Sequence, residues 1–481
     1  MDPEKLYKEA VKYVSLILVC AVVFAFAARV GSFAKKHPLT FDESVYAALA
    51  AQIGADPGDY NTMGIYRNAL SKGTRLPEYF NKPLFKHPPL FARIISFSYR
   101  ISGKTYFSAF KVSLFSGVLL IVMAYLLGAC LFDKETGVCA AVIASIEPVT
   151  WITSQKIWME TTLAFFMVLA LYLFARGLKK YNPYFFLSAG VAAGLAALVK
   201  YPGMLAAAVM FLYALCCDRR LFRTKFFILS LFIPFIMLIP WMEWNYRIYG
   251  AEFFTQQTAS HREVISFLAR STVLVKVYWI YAAALSAAAA LLAVIGRKYP
   301  SSLSAVSGKF RSAAPALAGI SIAVILFALG KHIVNSLDFF HVPEAGWKIG
   351  MFSKEPWYFY LGRLPELSPF FIFSYAALAG FVFDRPKSKQ YALLFLYCAG
   401  VLLFWILWKN YQCRYIAGVV VPLVVLSART LVHGYGMTAG IASEPLRRAA
   451  RALIILLAAF AAAKTLRIDL ILAVPNGTCY F

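Results

Sequence analysis

Val112–Phe132 reads VSLFSGVLLIVMAYLLGACLF, with no charged side chain. A helix of about 20 apolar residues reaches across the roughly 30 Å hydrocarbon core of a bilayer. This run is long enough, and the chain repeats the pattern. Val14–Ala28, Leu163–Phe174, Phe226–Pro240, Tyr278–Ile295, Ala314–Leu329, Phe370–Phe383, Tyr391–Trp408, Ile416–Ser427 and Ala452–Ala463 are further apolar cores. Gly137–Thr153, Tyr184–Val199 and Met204–Cys217 add three more. The expected architecture is an all-α polytopic membrane protein of about thirteen spans, one integral domain over residues 1–481. Composition agrees. Of 481 residues 61% are hydrophobic and 15% charged, more apolar surface than a water-soluble fold of this size can hide.

The net charge of +25 does not imply a nucleic-acid partner, because the basic residues sit at the ends of apolar segments. They cluster at Arg176/Lys179/Lys180, Arg219/Arg220/Arg223/Lys225, Arg297/Lys298/Lys309/Arg311, Arg385/Lys387/Lys389 and Arg447/Arg448/Arg451. With about thirteen spans, all of these fall on the side of the N-terminus. The positive-inside bias then puts that side in the cytoplasm. Lys5, Lys8 and Lys12 precede the first span, which reads as a retained anchor because Ala27-Ala28-Arg29 is a poor cleavage site. The eight cysteines contain no CxxC pair and no metal spacing.

Three stretches are too long or too polar for simple connections: residues 32–104, 243–276 and 331–366, all expected on the outer face. Function gathers on long loops held by a rigid scaffold. No soluble C-terminal domain is expected after the last span. The first outer loop opens with Phe41-Asp42-Glu43-Ser44, followed by Tyr46–Ile53, which suits a short interfacial helix. Two carboxylates there fit acid–base chemistry, although acidic residues also favour helix N-termini for structural reasons. The loop closes with Lys86-His87-Pro88-Pro89, where the Pro-Pro step fixes an extended entry and holds two cations at the membrane surface. Cations at that depth suit a lipid-linked phosphate, or they snorkel. Glu160 stands at the mouth of a span and Glu147 near the end of the one before; carboxylates at a membrane boundary are costly and usually functional. Lys200 ends the small-residue run Gly194–Val199. Asn245, Trp357, Tyr358, Tyr360, Arg363 and Arg414 stand where later spans meet the outer surface, and the aromatics among them suit an interfacial belt or a prenyl groove.

In order and placement these motifs resemble the GT-C superfamily of membrane glycosyltransferases, nearest to the branch of protein O-mannosyltransferases and lipid A aminoarabinose transferases. The resemblance covers roughly Phe41 to Pro422 and rests on Asp42-Glu43, His87-Pro88-Pro89-Leu90, Glu160, Lys200-Tyr201-Pro202-Gly203, Pro240-Trp241…Asn245-Tyr246, Pro356–Tyr360 and Arg414-Tyr415. It implies transfer of a sugar from a polyprenyl (dolichyl or undecaprenyl) monophosphate to an acceptor protein, lipid or glycan, by inverting single displacement. It implies Asp42 as catalytic base with Glu43 in support. Lys86, His87, Lys200, Tyr360, Arg363 and Arg414 become candidates for the donor phosphate and lipid, with Arg262 as a further cation. Glu160, Trp357, Tyr358 and Asn245 become candidates for the sugar or acceptor. Family members often carry an acidic residue ahead of the Pro-Pro step; Lys86-His87 stands here instead, so the metal set stays unassigned and a divalent cation stays open. A lipid or solute transporter or flippase is the main competing class, but it would place charge near the bilayer midplane and show related halves. A polysaccharide ligase or polymerase would concentrate its basic residues in one large loop.

Overall fold

The computed structural model of the chain describes residues 13–34, 39–62, 87–251, 332, 334–342, 359–383, 385–408 and 412–472. Its elements are helices throughout: α1 (Val14–Ala34), α2 (Phe41–Ala55), α3 (Leu90–Ser102), α4 (Tyr106–Leu131), α5 (Lys134–Ser145), α6 (Pro148–Ser154), α7 (Met159–Lys180), α8 (Pro183–Val199), α9 (Leu205–Cys217), α10 (Lys225–Tyr249), α11 (Phe359–Leu367), α12 (Phe371–Phe383), α13 (Ser388–Trp408), α14 (Ala417–Met437) and α15 (Glu444–Leu472). Six of the described helices, counting the 3₁₀ turn ahead of α14 with it, are long and apolar enough to cross a membrane, and the bent pair α5–α6 would make a seventh. The protein is an all-α polytopic membrane protein. The expected spans Tyr278–Ile295 and Ala314–Leu329 lie outside the described residues.

Polar residues at the helix ends explain where the chain turns. Thr105, Asp133 and Asn182 each accept a backbone N–H of the first turn of the helix they cap. Pro183 occupies the first position of α8, where its missing N–H is not needed. The expected continuous span Gly137–Thr153 is instead broken, with a 55° bend between α5 and α6. Pro148 is the cause: it disfavours a helical residue before it, so Glu147 is extended and its carboxylate caps the N–H groups of Val149 and Thr150. A second difference concerns the loop expected from residue 243: α10 continues as helix through Tyr249, so Asn245 lies on a helix.

α14 is the centre of the bundle, packed against α4, α5, α7, α12 and α13. Its residues from Ala417 to Arg429 are all buried. α7 packs on α8 and α8 on α10. That second contact is close because of glycine: a Cβ at Gly190 would come within 2.5 Å of the Ser230 carbonyl oxygen, and one at Gly194 would meet Met237 Sδ. α10 shows Phe232, Phe235, Ile236 and Ile239 outward, as a helix facing lipid must.

The two ends of the bundle differ in charge. At one end Arg429 pairs with Asp133 at 2.7 Å and Lys179 reaches the Cys130 carbonyl. The basic residues that follow α7, α9 and α12 are at this end. About 20 Å away along α14, at its start, lies Arg414. That end carries the candidate site.

Candidate functional site

Asp42 lies in the first turn of α2, and its position is set by its neighbour. Thr40 and Glu43 form a reciprocal capping box: Thr40 Oγ1 accepts the Glu43 N–H, and Glu43 Oε2 accepts the Thr40 N–H at 2.8 Å. Glu43 Oε1 accepts the Ile157 N–H at 3.0 Å, two residues before α7. A fully buried carboxylate therefore bolts the start of α2 to the entrance of α7, which carries Glu160. Glu43 is a positioning residue. Replacing it by Gln puts an amide donor against either Thr40 N–H or Ile157 N–H. The expected cost is about 1–3 kcal/mol, read as a lower thermal unfolding midpoint in detergent.

Four charged side chains from distant segments line up beyond this joint. Arg414 Nη1 donates to Asp42 Oδ2 at 2.6 Å. Arg414 Nε stands 4.0 Å from Glu160 Oε1 and donates to Gln412 Oε1 at 2.7 Å. Lys200 Nζ donates to the same Glu160 Oε1 at 2.9 Å. The row Asp42–Arg414–Glu160–Lys200 alternates in sign and is neutral as a set. Exposure falls from Asp42 at 37% through Arg414 at 11% to Glu160 at 3%, and the Lys200 side chain is 11% exposed. Glu160 Oε2 is buried and accepts no hydrogen bond. Aromatic faces hold the cations in place. The Arg414 guanidinium lies 4.8 Å from the Trp158 ring centre, and Lys200 Nζ lies 4.6 Å from that of Tyr415, which stacks on Trp405. A small gap of about 10 Å³ lies beside the row, lined by Glu160 and Arg414 together with Leu163, Met167, Leu205 and Val401.

The other candidate residues are placed around this row. His87 packs edge-on against Tyr46, one helical turn from Asp42, and its carbonyl accepts the Tyr60 hydroxyl. Tyr360 donates to the Gln412 carbonyl at 3.3 Å, so it braces the residue that holds Arg414. Asn245 is buried on α10 and donates to the Trp241 carbonyl, while the Trp241 indole donates to Tyr201, next to Lys200. Arg363 pairs with Glu366 Oε2 at 2.7 Å. Lys86, Arg262, Trp357 and Tyr358 lie outside the described residues. Among the described residues no group of three or more His, Cys, Asp or Glu side chains could hold a metal ion.

Several contributors are not evident from the motifs alone. Thr40 went unread, although Thr-x-x-Glu is a capping signature that could have found it. Tyr46 lies one helical turn after Asp42. Burial pushes its phenol pKa well up, Glu160 and Asp42 push it further, and Arg414 opposes them. Gln412 has no sequence signature; its role appears only once Arg414 is placed.

Glu366 carries a second polar cluster, on α11. Burial alone would raise its carboxyl, but hydrogen bonds with His332, Arg363 and Asn335 outweigh that and hold it below 4.5. A carboxyl lowered by folding adds stability that is complete above its unfolded value and is lost as pH falls through its folded value. Unfolding midpoints measured from pH 6 down to about 3 are therefore expected to fall less steeply in Glu366→Gln than in the parent protein.

The fold is similar to those of the solved structures of ArnT and of an archaeal oligosaccharyltransferase. Residues 86–244 match the family model described as dolichyl-phosphate-mannose-protein mannosyltransferase, a stretch that holds His87, Glu160 and Lys200. The apo crystal structure of ArnT from Cupriavidus metallidurans superposes with a TM-score of 0.55 at 15% identity, covering 97% of this chain and 76% of that one. The apo oligosaccharyltransferase of Archaeoglobus fulgidus superposes with a TM-score of 0.58 at 16% identity, covering 97% of this chain and 56% of that one. Archaeal oligosaccharyltransferase AglB, also from Archaeoglobus fulgidus, in complex with an inhibitory peptide and a dolichol-phosphate gives 0.54 at 16% identity over 96% of this chain and 56% of that one. An uncharacterized protein of Aquifex aeolicus (strain VF5) is 27% identical over 192 residues, 39% of this chain and 38% of that protein.

Proposed function

We propose that the protein transfers a sugar from a polyprenyl-phosphate donor to an acceptor hydroxyl on the outer or lumenal face of the membrane. The observation that carries this reading is the Asp42–Arg414–Glu160–Lys200 row at the end of the bundle away from the basic residues. It sets a partly exposed carboxylate beside the Arg414 guanidinium, with Lys200 held on the other side of Glu160. A polyprenyl-phosphate sugar has a matching part, an anion for the cations.

In the reaction the acceptor oxygen attacks the anomeric carbon from the face opposite the phosphate. A new carbon–oxygen bond forms while the bond from the anomeric carbon to the phosphate oxygen breaks, with inversion. Asp42 takes the hydroxyl proton as general base. The polyprenyl phosphate leaves with one more negative charge than the phosphodiester donor carried. Arg414 and Lys200, with His87 and Lys86 as further candidates, stabilise that growing charge. Arg414 donates to Asp42; an incoming phosphate competes for the guanidinium and frees the carboxylate to accept a proton. Glu160 orients both cations, and with Asn245, Trp357 and Tyr358 it contributes to the sugar or acceptor pocket. Tyr360 and Arg363 support the donor side through Gln412 and Glu366. A divalent cation is no part of this scheme, but its addition belongs in the assay.

The topology we infer has about thirteen spans with a cytoplasmic N-terminus, because the basic clusters then share the inner side. Residues 32–104 and 331–366, with the stretch that follows α10, serve as the outer segments of a single integral membrane domain. The test is incubation of purified protein with a panel of polyprenyl-phosphate sugars, with and without divalent cations, and mass spectrometry of carrier and acceptors. Released polyprenyl phosphate together with a glycosylated acceptor is the expected result. Movement of intact labelled lipid across vesicles with no covalent product would replace this reading with a flippase.

A further inference from the structure

A cavity of about 200 Å³ lies at the basic end of the bundle, between the ends of α4, α7 and α9 and the start of α13. Lys179, Lys387 and Lys389 line it, and Asp218 is the carboxylate among its walls. That carboxylate is already engaged: Oδ1 accepts Arg220 Nε at 3.1 Å, and Oδ2 accepts the Tyr181 hydroxyl at 3.2 Å. Tyr181 reaches it from a left-handed backbone conformation, φ 48°, which a non-glycine residue adopts only where its surroundings hold it. Lys179 makes one long bond, 3.4 Å, to the Cys130 carbonyl. The cavity thus has more positive charge than its own carboxylate balances. Gln390 is also a wall residue, and its Oε1 is buried without a hydrogen bond. Leu131, Leu178 and Leu393 form the apolar part of the wall.

Each feature constrains the ligand. Three lysines at a membrane-facing helix end call for an anion, and phosphate is the anion presented at that depth. A free phosphate would meet the lysines but leave the leucine wall bare. The Gln390 oxygen needs a donor, which a bare phosphodiester lacks. We propose that this cavity binds the headgroup of an anionic phospholipid, its phosphate on Lys179, Lys387 and Lys389 and a headgroup hydroxyl, as in phosphoglycerol, donating to Gln390 Oε1. The site is separate from the Asp42 row and does not depend on the transfer reaction.

The experiment uses the full chain in nanodiscs of phosphatidylcholine, alone or mixed with phosphatidylglycerol or with phosphatidylmethanol, which has the same charge and no hydroxyl. Lipid retained after gentle extraction is counted by native mass spectrometry, and the unfolding temperature is followed in parallel. Phosphatidylglycerol is expected to be retained and to raise the unfolding temperature. The Lys179→Gln/Lys387→Gln/Lys389→Gln protein should bind it more weakly, on the order of fivefold per lysine removed. Should that variant fail to fold, Lys387→Gln alone carries the fivefold test. Gln390→Leu should erase the preference for phosphatidylglycerol over phosphatidylmethanol, and Arg448→Gln, on an exposed position of α15, should change neither. Equal retention by the lysine variants, the same loss in the α15 control, or full stabilisation by inorganic phosphate alone would each overturn the proposal.

Discussion

Asp42→Asn is expected to lower the rate of sugar transfer by about 10²–10⁴, the usual contribution of a positioned general base, while the protein still folds. The separation of these two effects comes from the division of labour within the Asp42-Glu43 pair. Glu43 is fully buried and spends its carboxylate on Thr40 and Ile157. Asp42 is 37% exposed, and its ion pair is with Arg414. Asparagine keeps an acceptor for the guanidinium and nearly the same shape, so the start of α2 has no reason to move. It cannot take a proton from an attacking hydroxyl. The measurement is product formation under saturating donor, with donor binding followed separately; kcat should fall and donor affinity should change little. Unchanged turnover in a folded Asp42→Asn protein would remove the base assignment. Glu43→Gln supplies the contrast, because it should lower the unfolding midpoint as well as the rate.

How much of this was legible in the sequence depends on range. Helices were legible because apolar runs such as Val112–Phe132 need no partner to be recognised. The break at Glu147-Pro148 was legible in principle, since proline restricts the residue before it, but hydropathy averages across the break. Thr40 and Glu43 are three residues apart, and their capping box is a local signal. The Glu43–Ile157 bond is not local, so the second use of that carboxylate could not be read. The row of charges is the extreme case: Asp42 and Arg414 are 372 positions apart. Each could be named as a candidate from its place near a span end. Which carboxylate meets which cation depends on how α14 packs between α4, α5 and α7, and no short motif encodes that packing. Arg363 shows the converse. It shares the motif region with Tyr360, yet the turn of α11 points it to Glu366, three residues on, while Tyr360 goes to Gln412.

Arg414→Lys is expected to cost about 10²–10³ in kcat, comparable to losing a preorganised donor aimed at transition-state charge. Lysine keeps the charge, so the prediction rests on geometry. The guanidinium donates through Nη1 to Asp42 and through Nε to Gln412 while its plane lies against Trp158. An ammonium is a single point with no plane to stack, and it cannot hold two partners in fixed directions. The proposed hand-over also needs that fork, because the phosphate must gain what Asp42 gives up. Donor KM should rise less than kcat falls, since the interaction strengthens as the leaving phosphate gains charge. The double variant Asp42→Asn/Arg414→Lys adds a sharper test. If the two residues act in one step, the combined loss should fall well short of the product of the single losses, as coupled catalytic groups do. Fully multiplicative losses would mean that Arg414 serves the donor phosphate without gating Asp42, and normal kcat in Arg414→Lys would remove it from charge stabilisation altogether.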